Sequence, residues 1–373
     1  MKKHSGTRKV EASPLTSLAS CRDSLDRRDG SSFADRGEEN LTYASLSRPP
    51  KSHRSRWLSW LLGIAVLFGV VIAARHFSEE KAFVRLAYEA KPLWMLAALT
   101  LQAATYLAQG EIWRTVGRMA GTPLALPLVC KLALAKLFYD QALPSAGLTG
   151  SIVVARALED QGALPRSAVL AGALVNTTSF FIAYVTALAA AIIVLSLLGS
   201  ASFVVVSASV LFIILSAALV VGMLAFAGRD ILRGGTHWFL RYRIVHNAVA
   251  AMKDADLRLV HNVRLQLIAS CLQLVTFLLD AATLWMLLRS LGATARLSHV
   301  FASFMIANLI RTVSFIPGGL GTFEAAAVLM LKIDGVSVAV GLSTALLFRG
   351  LTFFLPMAPG LWFSRLINKP RFS

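Results

Sequence analysis

Charged residues and cysteines are scarce in this 373-residue sequence. Only 15% of the residues are charged, against about a quarter in an average soluble domain, while 56% are hydrophobic. The three cysteines, Cys21, Cys130 and Cys271, lie far apart and fit no disulfide or metal-ligand spacing. The sequence therefore predicts no disulfide framework and no bound metal or other cofactor.

Sequence motifs of common enzymes and nucleic-acid-binding proteins are also missing. No HExxH, Walker A, GxGxxG or GxSxG pattern occurs, and the seven histidines are scattered. His299, near a hairpin described below, is expected at the surface. The formal charge is +17, but no RNP, zinc-finger or helix-turn-helix pattern accompanies it. These absences argue against an enzyme and against a nucleic-acid partner.

Hydrophobic residues are concentrated in long runs. Six runs are long enough to cross a hydrocarbon core about 30 Å thick, at about 1.5 Å per helical residue. They lie at 57–74, 92–109, 167–197, 202–227, 264–288 and 336–363. Residues 1–56 carry 12 basic and 7 acidic residues and almost no apolar periodicity, which is typical of a disordered tail. We predict an all-α polytopic membrane protein with a basic tail (1–56), a membrane domain (57–365) and a short C-terminal tail (366–373).

Two further apolar stretches, 124–155 and 298–332, are interrupted by proline and glycine. The first break contains Pro144 and Thr149. The second break consists of Pro317, Gly318, Gly319, Leu320, Gly321 and Thr322. Such a break cannot continue a helix, and lipid does not satisfy the backbone groups that it frees. We therefore predict two re-entrant helical hairpins, each returning to the side from which it entered.

The basic residues predict the orientation. With the tail in the cytoplasm, this topology also places loop 228–263 inside, where six basic residues outnumber three acidic ones. Loop 75–91, placed outside, carries four basic residues, partly offset by three glutamates. The pattern favours cytoplasmic termini, a bacterial inner membrane and anionic phospholipid at the cytoplasmic face.

The two hairpins match at an offset of 173 residues. The offset pairs Pro144 with Pro317, Thr149 with Thr322, Gly162 with Gly335, and Phe180-Phe181 with Phe353-Phe354. Three spans separate the hairpins, so the two units would be inverted relative to each other. Inverted repeats with broken helices are typical of secondary transporters.

Ionisable residues at membrane depth are costly and mark functional sites. Lys136 and Asp140 are four residues apart and share a helix face, which leaves open a structural ion pair or a binding role. Arg156 lies at the end of the first hairpin. These three residues are candidates for the site in the first unit.

In the second unit, Arg311 and Glu324 flank the break. The helix that begins after the break has free N–H groups, which suit a phosphate or carboxylate. Glu324 is expected to cap this helix or to pair with Arg311 or Arg349. Asp280 is an expected partner for Arg349, and Asn176, which is equivalent to Arg349 in the repeat, is expected to make an interhelical hydrogen bond.

The stretch from Phe315 to Ala325 (FIPGGLGTFEA) resembles the most characteristic motif of the lysylphosphatidylglycerol synthase transmembrane-region family, or flippase-like domain proteins. Gly335 and Arg349 match later family positions, and the first break with Arg156 and Gly162 resembles an upstream motif. The first copy departs from the pattern, because Ser145-Ala146-Gly147 replaces a more glycine-rich run. The resemblance covers roughly residues 57–365.

The resemblance implies lipid translocation. Our lead hypothesis is a flippase or transporter of a lipid or lipid-linked intermediate, with Arg156, Arg311 and Arg349 as phosphate partners. The family's soluble aminoacyl-transferase domain is expected to be absent, because the sequence ends at Ser373. Two alternatives remain: an enzyme or enzyme subunit that modifies lipid headgroups, and a scaffold for lipid-synthesis enzymes. The expected partners are a membrane lipid substrate, anionic phospholipid and lipid-synthesis enzymes.

Overall fold

A computed structural model describes residues 91–142, 148–160, 164–197, 199, 202–227, 253–314 and 319–367. The described residues form helices and no strand. The helices are α1 (Pro92–Met119), α2 (Leu126–Ala142), α3 (Leu148–Asp160), α4 (Arg166–Leu197), α5 (Phe203–Phe226), α6 (Leu257–Val260), α7 (Val263–Ser290), α8 (Leu297–Val313), α9 (Thr322–Ile333), α10 (Val338–Arg349), a π-helix (Gly350–Phe354) and α11 (Leu355–Ile367). The predicted all-α fold is confirmed.

Four helical segments of the described chain are long and apolar enough to span a membrane. They are Arg166–Leu197, Phe203–Ala225, Val263–Ser290 and Val338–Met357. They match the spans predicted at 167–197, 202–227, 264–288 and 336–363, and the chain is a polytopic membrane protein. In Phe203–Ala225 only 11% of the apolar window is buried within the protein, so this helix presents most of its surface to lipid.

The other two predicted spans have different outcomes. The run 92–109 lies in α1, which has 28 residues but is not among the four segments, because polar residues such as Gln102 and Gln109 lower its hydropathy. Its crossing of the membrane stays a prediction. The run 57–74 and the tail 1–56 lie outside the described residues, as does the C-terminal end beyond residue 367.

Short helices flank both predicted breaks. Helices α2 and α3 pack together around the first break, and α8 and α9 pack together around the second. Helix α9 has 12 residues and rises about 18 Å, which is too short to cross a core about 30 Å thick. These pairs are the expected arms of the hairpins. Residues 143–147 and 315–318, including Pro144, Pro317 and Gly318, lie outside the described residues, and re-entry stays a prediction.

The helices repeat in order and length. Helices α1 and α2 have 28 and 17 residues, and α7 and α8, which begin 171 residues later, have the same lengths. Helix α3 has 13 residues and α9 has 12. Gly121 and Gly292, also 171 apart, follow α1 and α7 with φ angles of 81° and 80°. This common layout supports the predicted repeat and extends it upstream of the hairpins.

Helices α1 and α7 are antiparallel. The Lys91 backbone N–H donates to the Ser290 carbonyl over 3.0 Å at one end of the pair. Towards the other end, Gln109 Nε2 donates to Gln273 Oε1 over 2.9 Å. This pair of corresponding helices therefore runs in opposite directions, as an inverted repeat requires.

The hairpins pack against the opposite units. Helix α2 packs on α11 and α8 packs on α4, so each hairpin contacts the helical segment that follows the other hairpin. A side chain at Gly360 would come within 2.6 Å of the Leu134 carbonyl oxygen, which explains why a glycine lies at this close approach of α11 to α2. Each hairpin therefore connects its own unit to the other unit through packing.

Two buried clusters lie inside this arrangement. One joins α4 and α7 to α8, α9 and α10 through rings such as Tyr184, Phe277 and Phe304. The other joins α1, α2, α3, α4, α6 and α7 around Trp113. Gly172 lets α4 approach the Trp113 ring, because a Cβ there would lie 2.8 Å from it. Such close contacts replace the hydrophobic driving force that lipid does not provide between helices.

Candidate functional site

A buried ion pair holds the second hairpin. Glu324, in the first turn of α9, is 1% exposed, and its Oε1 accepts a hydrogen bond from Arg349 Nε over 2.8 Å. Its Oε2 accepts from the Gly321 backbone N–H over 2.6 Å. Arg349, in the last turn of α10, also donates from Nη2 to the Gly319 carbonyl over 3.0 Å. The pair therefore fixes the turn before α9 to α10.

The turn depends on its glycines. Gly319 and Gly321 have φ angles of 62° and 85°, which other residues rarely adopt. Thr322 Oγ1 donates to the Gly319 carbonyl over 3.0 Å, and its hydroxyl lies 3.1 Å from that of Ser314 at the end of α8. The described part of the motif, Gly319 to Thr322, is therefore held close to the end of α8.

Aromatic rings surround the guanidinium of Arg349. It lies 4.8 Å from the centroid of Phe323 and 5.8 Å from that of Phe353. Phe348 stacks on Phe323 at 5.4 Å. Ring faces attract a cation, so these contacts offset part of the cost of burying the guanidinium.

These contacts test the predicted partners. The expectation that Glu324 caps its helix and pairs with Arg349 is confirmed. The expectation that Asp280 pairs with Arg349 is wrong, because Arg349 pairs with Glu324 and Asp280 accepts a 3.4 Å hydrogen bond from Thr105 on α1. The free N–H groups before α9 were predicted to bind an anion. One of them, the Gly321 N–H, instead donates to the carboxylate of Glu324.

Arg311 lies at the same turn, in the last turn of α8. Its side chain is half-buried, and its Nε donates to Asn308 Oδ1 over 2.9 Å. Its aliphatic stem crosses Gly319 so closely that a Cβ there would overlap it. Across the described part of the chain, the two terminal nitrogens of Arg311 donate to no protein acceptor. The predicted residues Arg311, Gly319, Gly321, Thr322, Glu324 and Arg349 thus come together in one site.

The first hairpin contributes fewer described contacts. Lys136 on α2 and Arg156 on α3 are half-buried, and both interact with other groups. The side chains of Asp140 and Thr149 lie outside the described residues, so the Lys136–Asp140 pair stays a prediction. With the 171-residue offset, Asp140 corresponds to Arg311.

Sequence reasoning missed a polar layer between α1, α7 and α4. Gln109 donates to Gln273, and Gln273 Nε2 donates to Asn176 Oδ1 over 3.2 Å. The interhelical hydrogen bond expected of Asn176 is confirmed. The sequence feature that could have indicated this polar layer is the seven-residue spacing of Gln266, Gln273 and Asp280, which places them on one face of α7.

The polar layer continues along α1 towards the second hairpin site. Thr105 donates a 3.4 Å hydrogen bond to Asp280 Oδ1. Tyr106 donates to the Leu351 carbonyl over 3.1 Å, in the π-helix that follows Arg349. A π-helical turn often marks a functional site, because it shifts the backbone hydrogen bonds. The candidate site therefore extends from the hairpin turn to the centre of the α1–α7 pair.

His299, which was expected at the surface, is half-buried. Its side chain is 22% exposed, and its Nδ1 lies 2.8 Å from Asp334 Oδ1. Ser303 Oγ donates to the other carboxylate oxygen over 3.0 Å. Asp334 follows the last turn of α9, so these bonds join α8 and α9 at the end of the hairpin away from the break. His299 and Asp334 lie far apart in the sequence, so their contact could not be predicted from it.

Comparison with known proteins identifies the family. Residues 60–360 match the family described as the lysylphosphatidylglycerol synthase TM region. A protein of Methanothermobacter thermautotrophicus, named UPF0104 membrane protein, is 30% identical over 93 residues. That alignment covers 25% of this chain and 28% of the relative. Because the family match covers most of the sequence, the chain belongs to the lysylphosphatidylglycerol synthase TM region family.

Proposed function

We propose that this protein transports a lipid with an anionic headgroup between the leaflets of a bacterial inner membrane, with both of its termini in the cytoplasm. The observation that carries the proposal is the antiparallel pair α1 and α7 at the centre of two units with matching helices. Inverted units with broken helices let a transporter expose one site alternately to each side.

The packing of the hairpins supports alternating exposure. Because α2 contacts α11 and α8 contacts α4, neither unit can tilt without moving the hairpin of the other. A rocking motion of the units would then open one hairpin turn while it closes the other. The polar layer between α1 and α7 is the pivot in this mechanism.

In this proposal the predicted site residues have two roles. Glu324 and Arg349 hold the turn, since the carboxylate accepts from both Arg349 and Gly321. Arg311 binds the headgroup, because a planar guanidinium can donate two parallel hydrogen bonds to a phosphate. Arg156, Lys136 and Asp140 serve the first hairpin in this proposal.

The test is transport by purified protein in vesicles. A phosphatidylglycerol with a fluorescent acyl chain is placed in the inner leaflet, and its arrival outside is followed by chemical quenching. Arg311→Gln should slow transport by about ten-fold or more, since a hydrogen bond to a charged group contributes about 1.5–3 kcal/mol.

The matched control is Arg118→Gln. Arg118 is 53% exposed and pairs with Glu111 on the same helix, so its loss should leave the rate unchanged. Equal rates for wild type and Arg311→Gln would remove Arg311 from the site. Arg311→Lys keeps the positive charge but loses the planar guanidinium. Its transport rate should lie between those of wild type and Arg311→Gln.

A further inference from the structure

A basic aromatic cluster lies where α1 begins and α7 ends. The guanidinium of Arg289 lies 5.3 Å from the ring centroid of Trp285 and 5.8 Å from that of Trp94. The two indoles meet edge to face at 5.9 Å. Trp285 donates to the Ala295 carbonyl, so its ring is held in place. The cluster is an ordered platform that carries a positive charge.

The cluster lies at the depth of lipid headgroups. Helix α7 has 28 residues and rises about 42 Å. With its middle at the bilayer centre, Trp285 lies about 13 Å and Arg289 about 19 Å from that centre. The hydrocarbon core ends at about 15 Å, so the indole lies at its edge and the guanidinium among the headgroups.

An apolar cavity of about 360 Å³ opens beside the cluster. It lies between α1, α7, α10 and the π-helix. Its apolar lining includes Met95, Leu96, Leu99, Leu287, Leu347 and Leu351. Leu96 is 60% exposed and Leu99 is 42% exposed, so the cavity opens towards the membrane. With the middle of α1 also at the bilayer centre, Met95 lies about 16 Å and Leu99 about 10 Å from that centre. The first carbons of an acyl chain lie at these depths.

Arg289 lacks the protein partners that its repeat equivalent has. Arg118, 171 residues earlier, donates to Glu111 and to Thr115. Within the described ranges, Arg289 forms no hydrogen bond or ion pair, and its Nε is buried without an acceptor. A cation here also complements the C-terminal dipole of α7, but that role needs neither the buried Nε nor the cavity.

We infer that this end of the α1–α7 pair is a binding site for one diacyl phospholipid with an anionic headgroup. Arg289 donates to the phosphate, the indoles of Trp94 and Trp285 lie beneath it, and an acyl chain fills the cavity. The chain would touch Gly350 and Leu351, next to Arg349 in the hairpin site. Binding at this site does not require that the protein transports the lipid.

The experiment measures quenching of tryptophan fluorescence by lipids with brominated acyl chains, in vesicles of phosphatidylcholine. Brominated phosphatidylglycerol should quench wild type more effectively than brominated phosphatidylcholine. Arg289→Gln should reduce this preference about five-fold, the contribution expected of one basic residue near a membrane surface. Arg289→Lys should retain most of the preference, because lysine binds phosphate as a point charge.

Arg118→Gln is the control and should keep the full preference, because Arg118 lies at the opposite end of α1. An unchanged preference in Arg289→Gln would overturn the proposal. Relief of the quenching by inorganic phosphate alone would also overturn it, since the occupant would then not be a lipid. Because the assay records binding at equilibrium, its result is separate from that of the transport assay.

Discussion

Substitution of Glu324 by Gln tests whether the buried ion pair holds the second hairpin. Gly321 and Arg349 donate to different oxygens of Glu324. Gln keeps the shape of the side chain but has one acceptor oxygen, so its NH2 group would face one of these two donors. Arg349, 5% exposed, would then be a buried cation without its counter-ion. Loss of one partner of a buried pair costs about 3–5 kcal/mol, so we expect a loss of this size in the free energy of unfolding.

The double variant Glu324→Gln/Arg349→Met should be less destabilised than the sum of the single variants. Neither charge remains buried in it, so we expect a coupling energy of about 2–3 kcal/mol. The measurement is reversible unfolding by SDS in mixed micelles, followed by circular dichroism. Glu111→Gln, which removes a partly exposed acid from its pairs with Arg114 and Arg118, should cost about 1 kcal/mol or less.

The reasoning would be refuted if Glu324→Gln unfolded like Glu111→Gln, or if the single effects simply added in the double variant. The first result would mean that the turn does not depend on the pair. The second would mean that Glu324 and Arg349 act independently. In either case both residues would return to the list of candidates for direct contact with lipid.

Two other substitutions test the turn and the polar layer. Gly319→Ala should destabilise the protein by well over 1 kcal/mol, because it adds overlap with Arg311 to an unfavourable φ of 62°. Gly335→Ala is its control in the same unfolding assay and should cost about 1 kcal/mol, because its φ is 84° but the space around it is open. Gln273→Leu removes the bond to Asn176 and should cost about 1 kcal/mol in unfolding by SDS, whereas an unchanged midpoint would show that the layer is not stabilising.

The sequence predicted the helices more readily than their partners. Proline and glycine end a helix through their own backbone properties, so the break was predictable from the residues themselves. In the structure a helix begins at Thr322, directly after this break. Long apolar runs likewise predicted the four segments confirmed as long enough to span. These features depend on neighbouring residues, which the sequence contains directly.

The partner of Arg349 could not be predicted in the same way. Glu324 and Asp280 both lie far from it in sequence, and only the three-dimensional contacts of the two carboxylates decide between them. The π-helix after Arg349 has no distinct sequence signal either. The polar layer is different, since the spacing of Gln266, Gln273 and Asp280 was visible in the sequence.

The most direct test of the proposed function compares the lipids of cells with and without this protein, using a label that reacts only with the outer leaflet. We expect a lipid whose total amount is unchanged but whose outer-leaflet share falls when the protein is deleted. A lipid that disappears altogether would contradict transport and would indicate an enzyme or an obligate partner of one.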